Sequence, residues 1–298
     1  MPENQLLNAR RNELIVWASF LFLMLTWGSS FILIKRSLEA FSAAQVASLR
    51  LASAMLALIG FAVSHVRQIP RDRLPYVFLS GLFGMFFAAF LFSLAETGLS
   101  SSITGVLNAL TPCMTFVLGI VLFRQKSNAM QIVGLLLGFV GSATLVLVNA
   151  KGEMSVNHYA FYVIAATICY GLNLNIVKRF LPNVKAFHLS TVSVSMVGLL
   201  GLAYLLTTNW LDIVQNAPNG KASLLAAVTL GVVGTAAAQV VFNRMLQNST
   251  AVFASSITYF IPIVALIWGV WDGEVLSVWH YAGMVLIMGG ILILNRFR

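Results

Sequence analysis

The chain has 298 residues, of which 59% are hydrophobic and only 9% are charged, with a mean hydropathy of +0.89. A soluble protein carries about 25% charged residues, so this composition excludes a soluble globular protein and indicates an integral membrane protein. The net charge of +9 does not indicate a nucleic-acid partner, because the basic residues lie in short segments between apolar runs. Cys113 and Cys169 fall inside apolar runs and indicate no disulfide framework.

The polar segment 1–13 precedes a long apolar run without a small-residue cleavage site, so we expect a retained first span rather than a removed signal peptide. The apolar runs are continuous and about 20 residues long, which is typical of membrane-spanning helices, whereas barrel strands are shorter and alternate. The sequence therefore predicts an all-α polytopic membrane protein with ten spans: Leu14–Ile34, Ala44–Val66, Leu74–Ala95, Ile103–Phe123, Ala129–Val148, Tyr159–Val177, Phe187–Thr207, Ser223–Phe242, Ala251–Trp271 and Val278–Asn295.

The basic residues predict the orientation of these spans. With the N-terminus inside, 13 of the 18 lysines and arginines lie in the inner segments. The outer loops hold only four, which are Lys35, Arg36, Lys151 and Lys221. The positive-inside rule then predicts that both termini are cytoplasmic, in a multi-pass protein of a bacterial-type cytoplasmic (inner) membrane.

A proline interrupts the fourth span. Pro112 lies near the middle of the uncharged stretch 102–123, where its ring removes one backbone hydrogen bond and clashes with the preceding turn. The pattern recurs 150 positions later, with Pro262 at the matching place in the ninth span. Paired interrupted helices in two halves indicate the binding site of a transporter, and we predict a helix break at each proline.

The repeat extends beyond these two helices. Trp27 and Tyr170 each precede a lysine by eight residues, and Gly-Leu-Phe-Gly at 81–84 matches Gly-Val-Val-Gly at 231–234. Five spans in each copy is an odd number, so the second copy enters the membrane from the opposite side, and an inverted repeat supports alternating access. The predicted divisions are a cytoplasmic segment 1–13, a first five-helix repeat 14–148, an outer linker 149–158 and a second five-helix repeat 159–298.

Short motifs follow one another in the same order in the two halves. They are Trp27-Gly28-Ser29-Ser30-Phe31 with Lys35, Ser48-Leu49-Arg50, Ala109-Leu110-Thr111-Pro112, Ile261-Pro262 and Gly273-Glu274. In these motifs the chain resembles two copies of the EamA domain of the drug/metabolite transporter superfamily. The first copy departs from the pattern, because Phe123-Arg124 stands where Gly-Glu is usual. The resemblance implies a ten-helix carrier of small organic solutes, often exported and often amino acids or related metabolites, with the cavity between the repeats.

Polar and aromatic residues on the predicted inner faces are the candidate substrate contacts. They are Trp27, Ser30, Asn108, Tyr170, Asn173, Asn175, Gln239, Asn243, Thr258 and Tyr259. They offer donors and acceptors to a solute, but each can instead form a hydrogen bond between helices, which stabilises a membrane bundle by about 0.6 kcal/mol. The two repeat-related aromatic residues, Trp27 and Tyr170, can stack on a flat or apolar solute, or belong to an interfacial aromatic belt.

Arg50 is the basic residue predicted to lie well inside a span. An arginine near a helix centre costs about 2.5–3.5 kcal/mol on insertion scales, so it needs a partner or water. Two readings stay open: an anion contact for a substrate carboxylate, and an ion pair with Glu96. Since no acid or histidine is predicted deep in a span, the sequence favours facilitated diffusion, exchange, or coupling through the charge of the solute.

Other functional classes fit the sequence less well. A membrane enzyme needs clustered acids or histidines, and the four histidines are scattered, so neither catalysis, nor a metal, nor a cofactor is indicated. A channel-like pore and a multidrug efflux carrier for amphipathic compounds stay as alternatives to a metabolite exporter. Close helix contacts in the fifth and tenth spans, at Gly134, Gly138, Gly141, Gly283 and Gly290, indicate either packing within the chain or a dimer seam, so a monomer and a homodimer both stay open.

Overall fold

The computed structural model describes residues 3–124, 127–148, 154, 156–248 and 257–296, and no side chain is described for residues 3–13, 243, 246–248, 258, 259 and 295. Within this part of the chain every long element is an α-helix. We number the helices by candidate span and add letters to the segments of an interrupted helix: α1a (Glu3–Gly28), α1b (Ser30–Leu38), α2 (Ala43–His65), α3a (Leu74–Gly81), α3b (Phe87–Ala95), α4a (Ser101–Asn108), α4b (Thr111–Phe123), α5 (Ala129–Leu147), α6 (Ala160–Phe180), α7 (Ala186–Leu205), α8a (Gly220–Gly231), α8b (Ala238–Asn248), α9 (Ile257–Trp271) and α10 (Val278–Arg296).

The lengths of these helices confirm an all-α protein with membrane-spanning segments. Eight helical stretches of the described chain are long and apolar enough to cross a bilayer, from Leu14–Leu38 to Gly220–Phe242. The apolar parts of α9 and α10 are shorter, at Phe260–Trp271 and Val278–Leu294. The predicted ninth span began at Ala251, and the first six residues of that range lie outside the described residues.

Side-chain caps begin several of the helices. Ser42 and Gln45 form a reciprocal capping box at the start of α2, and Asn128 and Gln131 form another at the start of α5. Ser100 accepts a hydrogen bond from the backbone N–H of Ile103 at the start of α4a. Each cap satisfies backbone groups that would otherwise lack partners at a helix end.

The fourth helix is divided close to Pro112, which is the second residue of α4b. Ala109 and Leu110, between the two halves, form tight i→i+3 hydrogen bonds to Val106 and Leu107, both of 3.0 Å. Pro112 has no N–H for the carbonyl of Asn108, and the hydroxyl of Thr111 donates to that carbonyl instead, at 2.8 Å. The chain therefore compensates locally for the bond that the proline removes.

The ninth helix differs from the fourth, because α9 continues through Pro262 without a break. Three other interruptions were not predicted. The first helix is divided at Ser29, whose hydroxyl accepts from the indole N–H of Trp268 at 2.7 Å. The third and eighth helices each contain a wider π-helical turn, at 82–86 and 232–237.

The helices place opposite charges at the two ends of the bundle. One end, here called the acidic end, holds Glu39, Glu96, Asp272 and Glu274 at the ends of α1b, α3b and α9. The other, here called the basic end, holds Arg67, Arg71, Arg73, Lys178, Arg179 and Lys185. The guanidinium of Arg73 donates to the carbonyl of Phe180 across that end, at 2.9 Å.

Glycines let α5 and α10 approach each other closely. A Cβ on Gly134 would lie 2.6 Å from the carbonyl oxygen of Gly290, and one on Gly141 would lie 2.5 Å from that of Gly283. These glycines therefore face each other within one chain, which is the intramolecular alternative of the two that the sequence left open. Their backbones are in contact, as in small-residue seams of membrane helices.

We expect Gly134→Ala to destabilise the protein by about 1–3 kcal/mol, because the methyl group meets backbone atoms that move only if the helices separate. Gly289→Ala on α10 is the matched control, since nothing lies within 4 Å of its Cβ position. The stability of the two variants is compared by their midpoints of thermal unfolding in detergent, followed by tryptophan fluorescence. Equal midpoints for the two variants would contradict the seam.

Candidate functional site

The wide turn of α8 is a meeting point for three predicted site residues. The indole N–H of Trp27 donates to the carbonyl of Gly234 at 3.2 Å, and Nε of Arg50 donates to Oγ1 of Thr235 at 2.9 Å. The hydroxyl of Ser30, which donates to the carbonyl of Thr26, lies 3.3 Å from the position of a Cβ on Gly234. Turns of this type often mark functional sites, because they leave backbone carbonyls outside the regular helical ladder.

The wide turn of α3 is likewise in contact with a polar residue, Asn173 of α6. The amide oxygen of Asn173 accepts from the hydroxyl of Ser80 at 2.6 Å. Its amide nitrogen occupies the space beside Gly84, 2.5 Å from the position of a Cβ there. Both wide turns thus begin directly after a glycine, at Gly81 and Gly231, and both contact a polar residue of a neighbouring helix.

Arg50 does not form the ion pair with Glu96 that the sequence offered as one alternative. Its guanidinium is half-buried and interacts with Thr235 and with the side chain of Tyr170. Neither carboxyl oxygen of Glu96 has a hydrogen-bond partner among the described residues. The arginine lies on α2, and Thr235 of the wide turn provides a neutral acceptor for its Nε.

The remaining predicted site residues differ in their burial and in their hydrogen-bond partners. Asn108 is half-buried at the end of α4a, and Gln239 is half-buried just after the wide turn of α8. Asn175 is buried and donates to the carbonyls of Thr115 and Gly171 at 3.0 and 2.9 Å, as expected of a contact between helices. The side chains of Asn243, Thr258 and Tyr259 lie outside the described residues.

The two aromatic residues lie against other rings. Trp27 packs on Phe242 with ring centroids 5.4 Å apart, and Tyr170 packs on Phe92 at 5.8 Å. Both are half-buried within the bundle. A half-buried ring beside a second ring leaves one face or edge available to a flat solute.

A cluster of charges closes the acidic end, and the sequence pattern does not pair its members. The ammonium of Lys35 lies 2.6 Å from Asp272 and 2.9 Å from Glu274, and Arg36 bridges Asp272 and Glu39. Lys35 and Glu274 belong to two separate motifs, one in each half of the sequence. Nothing in the sequence shows that residues 239 positions apart meet.

Glu274 also binds the start of α4a. Its carboxylate accepts hydrogen bonds from the backbone N–H groups of Ser101 and Ser102, at 2.9 and 3.0 Å. Burial opposes its ionisation, but the bonds from Ser102, Lys35 and Ser101 outweigh this and lower the pKa of Glu274 to about 2. The positive end of the α4a dipole adds to the stability of the anion. We call the contacts among Lys35, Asp272, Glu274 and Ser101–Ser102 the acidic-end latch.

The repeat-related positions at the basic end cannot form the same contacts. Lys178 and Arg179 correspond to Lys35 and Arg36, but Arg124 stands where Glu274 stands in the second half. Lys178 and Arg179 are exposed and have no ion pair among the described residues. In the described part of the chain, no group of three or more His, Cys, Asp or Glu side chains could hold a metal ion.

Comparison with known proteins is consistent with this geometry. The EamA-like transporter family matches residues 15–147 and again residues 158–296. An "uncharacterized transporter" of Archaeoglobus fulgidus is 25% identical over 95% of this chain and 99% of its own. A "probable terminal-alkyne amino-acid exporter" of Streptantibioticus cattleyicolor is 26% identical over 94% and 93%, and a "probable amino-acid metabolite efflux pump" of Salmonella typhimurium is 22% identical over 92% of each chain. A solved crystal structure covers 93% of this chain and 95% of its own with a TM-score of 0.61 at 16% identity, which shows the fold alone.

The latch predicts a pH-dependent effect of Glu274→Gln. Because folding lowers the pKa of this carboxyl, its stabilisation is complete above the unfolded value of about 4.5 and is lost as the pH falls toward 2. We expect the variant to lose roughly 3 kcal/mol at pH 7 and the loss to shrink steadily below pH 4.5, as measured by thermal unfolding across pH.

Glu39→Gln is the control for this experiment, since Glu39 pairs with Arg36 through partly exposed side chains. Such a pair contributes about 0–1 kcal/mol. If Glu39→Gln were as destabilising as Glu274→Gln, or if the effect of Glu274→Gln were the same at pH 3 and pH 7, the assigned strength of the latch would be wrong.

Proposed function

This chain belongs to the EamA-like transporter family, and from that premise we propose that it is a secondary carrier that exports small organic metabolites by alternating access. The substrate class we propose is amino acids and related solutes. The chain is a multi-pass membrane protein, and we place the basic end and both termini in the cytoplasm, in accordance with the positive-inside rule.

We propose ten spans arranged as two inverted repeats of five. The double family match, over residues 15–147 and 158–296, supports two copies. The chain directions support the inversion. The last turn of the first helix holds Lys35 of the acidic-end latch, whereas α6 begins beside Gly98 at that end and finishes beside Arg73 at the basic end.

Contacts that correspond between the two halves support the same arrangement. A Cβ on Gly231 would collide with the carbonyl of Arg50, and one on Gly81 would lie 2.9 Å from the carbonyl of Ser193. Ser193 is the position that the repeat relates to Arg50. Each half thus packs the glycine before its wide turn against the second helix of the other half.

The acidic-end latch is the observation that carries the proposal of a carrier rather than a channel. We call the half-buried site residues Trp27, Arg50, Asn108, Tyr170 and Gln239 the polar layer. The latch closes one end of the bundle with charges from both halves, at Lys35 and Glu274. The basic end has no acid at the corresponding position, Arg124. Ends closed by different contacts can open separately, which is the requirement for alternating access.

The chemistry of the polar layer supports a solute with both apolar and charged groups. Trp27 and Tyr170 offer aromatic surface, and Asn108 and Gln239 offer amides. Arg50 is a fixed cation in the same layer, suited to a carboxylate. Two relatives carry names that refer to amino-acid or amino-acid metabolite export, which supports this substrate class and the outward direction.

Transport by purified protein in liposomes tests the function. We expect saturable uptake of radiolabelled leucine, phenylalanine or threonine that is accelerated by the same amino acid on the other side. A pore would give neither saturation nor acceleration. Accelerated exchange of amphipathic cations in place of the amino acids would instead assign a multidrug carrier.

The site is tested by Asn108→Ala, for which we expect at least a tenfold loss of exchange without loss of folded protein, because the half-buried amide is removed from the polar layer. Asn216→Ala is the matched control, since Asn216 lies on the surface in the short helix Trp210–Asn216. Equal exchange by the two variants would remove Asn108 from the site.

A further inference from the structure

Glu96 is a buried acid without a partner. Only 8% of its surface is exposed, and neither carboxyl oxygen accepts or donates a hydrogen bond among the described residues. A buried carboxylate ion without hydrogen bonds is strongly disfavoured, and the group takes up a proton instead. The acids of the latch differ from it, since Asp272 and Glu274 both have cationic partners.

Charged and titratable groups surround Glu96 on every side from which a helix packs. Lys35 lies on α1b, Arg50 on α2, and Glu274 on the connection between α9 and α10. Tyr170 of α6 packs against Phe92, one turn before Glu96, and interacts with Arg50. Two of these groups, Lys35 and Glu274, are members of the acidic-end latch, so the surroundings of Glu96 change whenever the latch opens.

We infer that Glu96 is a proton-binding site of the carrier, which takes up a proton as the acidic end closes and releases it as that end opens. This inference rests on the proposed alternating access. In the closed state, a hydronium ion from the outer side has given its proton to one carboxyl oxygen and left as water. In the open state, water reaches the carboxylate, and the proton returns to it.

The electrostatics of the closed state agree with this assignment. Glu96 directly follows the third span, which ends at Ala95. Burial raises the pKa of its carboxyl, and the negative charge of Glu274 acts in the same direction, whereas Lys35 and Arg50 oppose it. Closing and proton binding therefore favour each other, and by linkage each stabilises the other equally.

The consequence for transport is a dependence on external pH. An exporter must close its outer end empty before it can load again. A proton on Glu96 favours that step, so external acid speeds the return of the empty carrier and hence net export. This revises the expectation of facilitated diffusion, exchange or coupling through the charge of the solute, which rested on the lack of acids and histidines predicted deep in the spans.

Infrared spectroscopy measures the protonation directly. We expect the wild-type protein at neutral pH to show the carbonyl band of a buried, protonated carboxylic acid, which Glu96→Gln removes. Asp212→Asn should leave the band in place, because Asp212 is an exposed acid bonded to Asn216. Absence of the band in the wild type, or its persistence in Glu96→Gln, overturns the inference.

A substitution that sterically disrupts the latch tests whether proton binding to Glu96 is coupled to opening of the acidic end. A methyl group at Gly269 would collide with Ser102 and with the carboxylate of Glu274, so Gly269→Ala disfavours the closed end without changing any charge. We expect the band to titrate at least about one pH unit lower, which is a tenfold weaker proton affinity. Ser101→Ala, which removes a hydroxyl bond to Glu274 of 2.8 Å and also changes no charge, provides a second variant should the first fold poorly. Unchanged titration in a folded variant overturns the coupling.

Transport in liposomes separates this inference from the proposed function. With radiolabelled leucine, phenylalanine or threonine, we expect net efflux to rise severalfold as the external pH falls from 8 to 6, and Glu96→Gln to abolish that dependence. Exchange without any dependence of net efflux on external pH refutes the role of Glu96 and leaves the carrier intact. Absence of exchange refutes the proposed function, while the infrared band still decides whether Glu96 holds a proton.

Discussion

The lack of hydrogen-bond partners in a lipid bilayer is the constraint on which this structure depends. Every backbone amide inside the membrane must find a partner within the protein, so the chain crosses as helices and departs from regular helix only where another helix covers it. The interruption before Pro112 follows this rule, because Thr111 takes over the carbonyl of Asn108. The wide turn of α8 follows it as well, since Trp27 donates to the carbonyl of Gly234.

The same constraint explains why the charges gather at the acidic end. Lys35, Asp272 and Glu274 meet where three helix ends converge, and the backbone amides of Ser101 and Ser102 complete the coordination of Glu274. Partial burial strengthens these contacts relative to ion pairs in water. It also makes them depend on the closed arrangement, because separation of the helices would return every member to water. A closure that is strong but separable suits the alternating access proposed for this carrier.

Much of the fold could be predicted from the sequence, because the length and continuity of apolar runs are local properties. Eight predicted spans coincide with long apolar helices, and the capping residues Ser42 and Asn128 stand at helix starts. Within the candidate site, the local sequence pattern predicted the roles of individual residues less well. Asn175 was predicted to contact the solute because it is polar, but its amide donates to the carbonyl of Thr115 on the neighbouring helix. Pro262 was predicted to break its helix, yet α9 continues through it.

By itself, therefore, the sequence determined the class of protein, the number and places of its apolar runs and the set of polar residues available for a site. Tertiary structure decided which of those residues meet. Lys35 and Glu274 form an ion pair although 239 positions separate them in the sequence. Arg50 donates a hydrogen bond to Thr235 and not to Glu96. Glu96 is buried without a hydrogen-bond partner among the described residues. The physical reason is that hydrophobicity acts residue by residue, whereas ion pairing and burial depend on how helices far apart in the chain are packed.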